Sequence, residues 1–511
     1  MKFTVQNPVI SGYNPDPSIC RVGDDFYLVN STFEFFPGVP IYHSKNLVNW
    51  ELIGHCLTRE SQLYLRGCRN SGGIYAPTIR YHEGVFYMIT TNVTHGGNFI
   101  VHTKDIRGEW SEPAWVDQDG IDPSLMWDDD GKCYYVGTGH ANGESGIIAF
   151  EVDPITGDIL SDKHIISKGC GGKCPEGPHI YKKDGWYYLM LAEGGTEYGH
   201  SETMQRSRCI WGPYEACPHN PILTHATARA SSAEIQATGH ADIVEDQHGN
   251  WWLVSLGIRK IGHEFLHNLG RETFLAPVIW EENEWPVVGD AGMFKSVWEL
   301  DLPAEAQPQE RGFEIPFDGT FSKRIMFTRN PDMENFIMAD GSLTLVGNGI
   351  TINEAGASPT VISVRQPDFV TEFSAVLDLK ESFGSKYGIS AYYNNDYHYD
   401  IYVTDEDGVK FLCVYKHVHD FGAVVARAEL KGDEVKLIIR SDRRKYNFFF
   451  EQDGKETYMA CGATAGLCTE GTMTMTFTGT LYALYCERGK AVFKDKVIVQ
   501  AQDSPYLDDR A

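Results

Sequence analysis

Five short segments repeat one pattern at intervals of about 47 to 64 residues: a glycine or acidic turn, then a run of aromatic and β-branched residues. They read GDDFYLVNST from Gly23, EGVFYMITTN from Glu83, DGKCYYVGTG from Asp130, DGWYYLMLAEG from Asp184 and HGNWWLVSLG from His248. Turn chemistry leading into Tyr, Trp, Phe, Val and Ile is the signature of a hairpin entering a buried strand. The interval is that of a propeller blade of four strands. SKNLVNW ending at Trp50, TKDIRGEW ending at Trp110 and SRCIWGPY ending at Tyr214 form a second echo and read as outer strands with a shared turn. Helical periodicity is nearly absent over the first 300 residues. The spacing therefore predicts an all-β chain that opens with a five-bladed β-propeller, since a generic array of sandwiches fits a regular period less well.

Eight or nine residues before each turn lies the strand expected nearest the propeller axis. The residues there are Asp16 in NPDPS, Ala76 in YAPT, Asp122 in IDPS, Glu176 in PEGPH and His240 in GHADI. An aspartate before proline is common in turns, so any one of these is unremarkable. Ionisable groups at four of five equivalent axial positions are not, because unpartnered carboxylates on an apolar axis are costly. That register defines a candidate site. Paired carboxylates around a channel suit glycosidic bond hydrolysis, in which one acid protonates the leaving oxygen and the other acts on the opposite face. A third carboxylate nearby raises the acid's pKa by like-charge repulsion. Sequence spacing alone does not assign these roles.

The formal charge of −26 argues against nucleic acid as a partner, because phosphate binding needs a cationic face. It equally disfavours an anionic membrane surface, while a neutral sugar is unaffected. The start, MKFTVQNPVISGYNPDPS, has no apolar run of signal-peptide length, and no stretch of about twenty apolar residues occurs anywhere. Twelve scattered cysteines then read as buried thiols in a cytoplasmic protein. CGGKC (Cys170, Cys174) lacks the second Cys/His pair that a zinc site needs. Composition leaves a homo-oligomer open.

NPDPS, STFEFFPGVPIYHSKNLVNWELIGH, GGIYAP, GIDPS, CPEGPHIY, TGHAD and GRETFL, in that order, resemble the motifs of glycoside hydrolase family 43. The likeness covers nearly all of the first 300 residues and is nearest to the β-xylosidases and α-L-arabinofuranosidases of that family. It implies that Asp16 is the general base, Asp122 the residue that tunes the acid's pKa, and Glu176 the general acid. It also implies that Arg271 contacts substrate hydroxyls and the carboxylates, and that Phe33 and Tyr75 wall the sugar pocket. His240 corresponds to a histidine that, in many members, approaches a hydrated calcium ion. Many xylosidases of the family carry Trp where Tyr75 stands, which leaves the balance between xylose and arabinofuranose open. The expected activity is an inverting exo-glycosidase that releases xylose from xylo-oligosaccharides, with α-L-arabinofuranosidase activity beside it.

From about Leu302, PAEAQPQERG reads as a linker. Beyond it, SLTLVGNGITI, TEFSAVLDL, HYDIYVT, VKLIIRS and YNFFFEQDG alternate apolar with polar residues, as strands of an antiparallel sandwich do. The expected domains are a catalytic propeller over 1–302 and a β-sandwich over 312–511. The family resemblance makes the latter concanavalin-like and gives it a part in closing the pocket. Three rivals fit less well. A fructan-cleaving propeller enzyme needs arginine where Ile121 stands, an endo-arabinanase usually lacks the sandwich, and a non-catalytic carbohydrate-binding propeller needs no matched acids.

Overall fold

The structure, a computed structural model, describes residues 2–262, 265–473 and 475–502; residues 503–511 of the expected sandwich domain lie outside the described residues. Five antiparallel four-stranded sheets follow one another along the chain, the fourth with one further short strand. Blade I runs through Ser18–Val22, Asp25–Val29, Gly38–Ser44 and Glu51–Leu57. The innermost strands of blades II to V are Thr78–His82, Ser124–Trp127, Glu176–Lys183 and Ile235–Glu245. Each repeat identified in the sequence supplies the turn from a blade's first strand to its second. In blades II and IV that turn is two residues, Glu83-Gly84 and Asp184-Gly185, all four at positive φ. This is the backbone that matches the twist of a tight hairpin.

One reading is corrected. SKNLVNW, TKDIRGEW and SRCIWGPY are not outer strands but the connections between the third and fourth strands of blades I, II and IV. Side-chain caps make these segments turns: the Ser44 hydroxyl accepts from the backbone N–H groups of Asn46 and Leu47, and Thr103 accepts from Asp105. Such local hydrogen bonds compete with a ladder. The fourth strands of blades II and IV are two residues each. The ends of the propeller are tied by a separate antiparallel pair, Lys2–Gln6 with Val297–Asp301, and the Asn7 amide exchanges two hydrogen bonds of 2.9 Å with Leu275 in blade V.

Strands from Gly312–Pro316 onward build the second domain around one 21-residue strand, Leu481–Ala501, which pairs with five others. No disulfide links any of the twelve cysteines. Among the described residues the only helical segments are short 3₁₀ turns.

The two domains share a core and a sheet. Tyr13, Phe33 and Phe35 of the propeller pack with Tyr392, Tyr402, Leu481 and Tyr485 of the sandwich. The strand Phe35–Phe36, inside the FEFFPG motif, pairs with Met326–Thr328. Next to that pairing, Arg329 is 1% exposed and enters the propeller: its Nε donates to the Cys68 carbonyl at 2.6 Å and its backbone N–H to the Glu34 carbonyl at 2.8 Å. Removing a buried charge's partners is expensive. Arg329→Met is expected to lower unfolding free energy by about 3 kcal/mol or more, because the Cys68 carbonyl is left unpaired and Glu34 loses its neighbouring cation. Urea denaturation checks this; an unchanged midpoint would contradict the interface described.

Candidate active site

The register positions lie at or just before the start of the innermost strands, except in blade V, where His240 lies inside Ile235–Glu245. Asp16, Asp122 and His240 all have positive φ, at +52°, +56° and +51°. Two of them precede proline, and none is glycine, so each left-handed turn stores about 1–3 kcal/mol of strain. In blade IV the residue with this backbone is Gly177, at +55°, not Glu176. Glu176 is therefore one residue out of strict register, and a bulge between Glu176 and His179 absorbs the offset. A Cβ on Gly177 would stand 3.1 Å from the His240 ring, a tight contact that favours glycine there, and the acid is carried by the preceding residue. Ala76 fills the fifth position and is buried.

Asp16 is 5% exposed and fully engaged. Its Oδ2 accepts from the Ser31 hydroxyl at 2.5 Å, and its Oδ1 from Arg271 Nη1 at 2.8 Å. Arg271, on the segment leading into Glu272–Ile279 of blade V, also donates to Thr196 Oγ1 at 3.0 Å and to the Phe477 carbonyl at 3.3 Å. Among the described residues the other two acids have no ion pair of their own. Burial, then the charge of Asp16, pushes Glu176 up to about 7 despite the pull of Arg271. Burial, Glu176 and Asp16 hold Asp122 well above the usual carboxylate range, although the Gly177 N–H faces its carboxylate. His240 is lowered, chiefly by burial, and is neutral at pH 7. The register thus assembles one ion-paired carboxylate and two carboxyls that favour their protonated forms.

The expected wall residues lie beside this group. Phe33 is 2% exposed, with ring centroids 5.4 Å from Tyr75 and 5.6 Å from Phe477. The half-buried rings of Tyr75 and Phe477, which meet edge to face at 5.8 Å, carry the accessible apolar surface, with Phe33 behind them. Phe477 comes from the sandwich, and its N–H donates to Ser71 Oγ at 2.9 Å. The Ser71 N–H in turn donates to Glu34, a buried acid that desolvation raises to about 7.

Several residues of the site escaped the sequence reading. Phe477 is not adjacent in sequence to anything catalytic. Two residues beyond each register position sits a ring of Ser18, Thr78, Ser124, His179 and Asp242, one level down the axis. Asp242, fully buried, binds Arg80 (2.7 Å), Ser18 (2.7 Å) and Tyr181 (2.6 Å), and Arg80 lies 2.9 Å from His179. Extending the register by two residues would have found this plug. Glu202 lies beside it, with one oxygen accepting from the Ala241 N–H at 2.9 Å and the other without a partner among the described residues.

Acids with separated proton affinities around one arginine, at the mouth of a propeller axis, are the equipment of a glycosidase. Comparison with known proteins makes the class specific. Residues 5–286 match the model of glycosyl hydrolases family 43, and residues 316–494 that of the β-xylosidase C-terminal concanavalin A-like domain. The chain is 39% identical to a non-reducing-end α-L-arabinofuranosidase of Bacteroides ovatus over 94% of its length and 91% of the relative's. It is 38% identical to a xylosidase/arabinosidase of Butyrivibrio fibrisolvens over 89% and 90%. Among solved structures, xylan β-1,4-xylosidase from Bacillus halodurans superimposes with a TM-score of 0.88 at 32% identity, covering 97% of this chain and all of that one. This chain belongs to glycoside hydrolase family 43 and is a glycosidase with a concanavalin-like second domain.

The raised affinity of Glu176 fixes a sign for stability. The folded state holds this proton more tightly than the unfolded chain, whose carboxyl titrates near its ordinary value of 4.5. The stabilisation is complete below that value and is lost as pH rises through about 7, a change of up to about 3 kcal/mol. Glu176→Gln is therefore expected to show a smaller loss of Tm between pH 5 and pH 8 than the parent protein. An identical pH slope in calorimetry would contradict the raised pKa.

Proposed function

We propose that this enzyme is an exo-acting, inverting glycosidase that releases xylose from the non-reducing ends of xylo-oligosaccharides and also hydrolyses α-L-arabinofuranosides. The observation that carries the reading is the unequal treatment of the acids. Arg271 and Ser31 hold Asp16 as a carboxylate, ready to take a proton from water. Glu176, kept protonated up to about pH 7, donates to the leaving oxygen. The charge of Asp16 supplies the repulsion that helps keep this proton in place, and Asp122, itself raised by the charge of Glu176, is assigned the tuning and orienting of the acid. Direct attack by a water activated at Asp16 inverts the anomeric centre.

The sandwich supports exo action. Phe477 stands over the same wall as Tyr75, and its carbonyl accepts from Arg271. A pocket bounded on that side admits a chain end and blocks a continuous polymer. Pentoses suit a wall built of ring faces with few polar anchors. The tyrosine at position 75, and likeness to relatives named for both xylosidase and arabinofuranosidase activity, support action on both sugars. Glu176→Ala is expected to abolish hydrolysis of xylobiose while sparing aryl xylosides with good leaving groups, which need little proton donation. Full activity of this variant on xylobiose would refute the assignment.

Calcium belongs to the same proposal. Among the described residues no three metal-ligating side chains converge, so no cage built by protein fits. The lining supports a hydrated ion: near neutral His240, Glu202 Oε2, His200 Nε2 and Thr238 Oγ1 are buried and without partners among the described residues, and each would accept a bond from, or donate one to, a water. His240 would be the ion's protein neighbour, and the ion would supply positive charge near the attacking water. Exhaustive chelation is expected to lower both Tm and turnover, with recovery on adding calcium; no change in either would dismiss the ion.

A further inference from the structure

Glu470 sits in the sandwich, seven residues before Phe477. Its carboxylate is a meeting point for loops of two propeller blades. Oε2 accepts from the backbone N–H of His267 at 3.1 Å, and Oε1 lies 2.7 Å from His267 Nδ1. The Tyr198 hydroxyl is 3.1 Å from the same Oε1 and 2.8 Å from the Phe265 carbonyl. The side chain of His267 is 10% exposed and that of Glu470 is 25% exposed, so the contact is partly desolvated. Hydrogen bonds to an ionised acceptor in such a setting are about twice as strong as neutral ones.

What the carboxylate holds is more telling than the bonds themselves. Tyr198 lies two residues after Thr196, whose hydroxyl accepts from Arg271. His267 lies four residues before Arg271 on the same segment. Between them, Asn268 accepts from the Thr480 N–H at 2.8 Å, and the Gly270 backbone approaches Gly479 so closely that a Cβ would stand 2.9 Å from its Cα. Both supports of the Arg271 guanidinium, its own segment and the Thr196 loop, thus converge on one side chain of the other domain. Arg271 keeps no partner at its buried Nε among the described residues, so its direction depends on these neighbours.

We propose that Glu470 is a positioning residue for the reaction: it clamps the Tyr198 and His267 loops so that Arg271 is aimed at Asp16. The inference rests on the reading of Asp16 and Arg271 given above. The base serves poor and good leaving groups alike. Loss of the clamp therefore lowers kcat on xylobiose and on an aryl xyloside by a similar factor, about tenfold, unlike loss of Glu176. If Glu470 acts through Arg271, its removal matters little once the arginine is gone.

The test is a double-mutant cycle on the full chain, with kcat measured on both substrates and Tm recorded for each variant. Glu470→Ala is expected to reduce kcat about tenfold in the parent and less than twofold in an Arg271→Ala background, with Glu470→Gln and Tyr198→Phe intermediate. Equal losses in both backgrounds would overturn the clamp while leaving the site assignment intact. Wild-type kcat in Glu470→Gln and Tyr198→Phe would also overturn it, even if Glu470→Ala fails to fold. Full activity of Arg271→Ala would overturn the site assignment and the clamp with it.

Discussion

One guanidinium serves three acids at the mouth of the propeller axis. Arg271 forms its ion pair with Asp16, and Ser31 completes that carboxylate's partners. Glu176 and Asp122 share the same desolvated space with no ion pair of their own among the described residues, so burial and the charge of Asp16 disfavour both charged forms, and the charge of Glu176 disfavours that of Asp122 further. A second cation here would favour the charged forms of Glu176 and Asp122 and so weaken the proton donor. The division of labour follows from this shortage of positive charge.

Holding such an arrangement takes a frame that tolerates strain. Two innermost strands are entered through left-handed residues, Asp16 and Asp122, and two contain one, Gly177 and His240. Closed blades around one axis supply the over-determination that keeps these turns in place. Beneath them, the buried pair of Arg80 and Asp242, joined by Ser18 and Tyr181, ties blades I, II, IV and V together. Above them, the second domain reaches down with Phe477, whose carbonyl meets the same arginine that orients the base. The two domains share a strand pairing and a hydrophobic core, so the site is built at an interface that folds as one body of packing.

How far the sequence carries is visible residue by residue. Period and turn chemistry are local properties, and they located the blades and the axial positions Asp16, Asp122 and His240. Glu176 was named, but its register is offset by one residue: the left-handed position is Gly177, beside the His240 ring, which is remote in sequence, and a bulge follows Glu176. The segments around Trp50, Trp110 and Tyr214 misled because their aromatic residues suggest strands, whereas serine and threonine caps make them turns. Phe477, Glu470 and Arg329 were not legible, since each acts on the propeller from more than 200 residues away in the chain. Only the packing of the second domain brings them to the site.

The account turns on Asp16 being held as a base toward water, on the face of the sugar opposite Glu176. Proton NMR of the first-formed sugar from an aryl β-xyloside tests this directly. The account predicts α-xylose as the initial product, followed by mutarotation. Initial β-xylose would mean that a carboxylate attacks the sugar itself, and would contradict it.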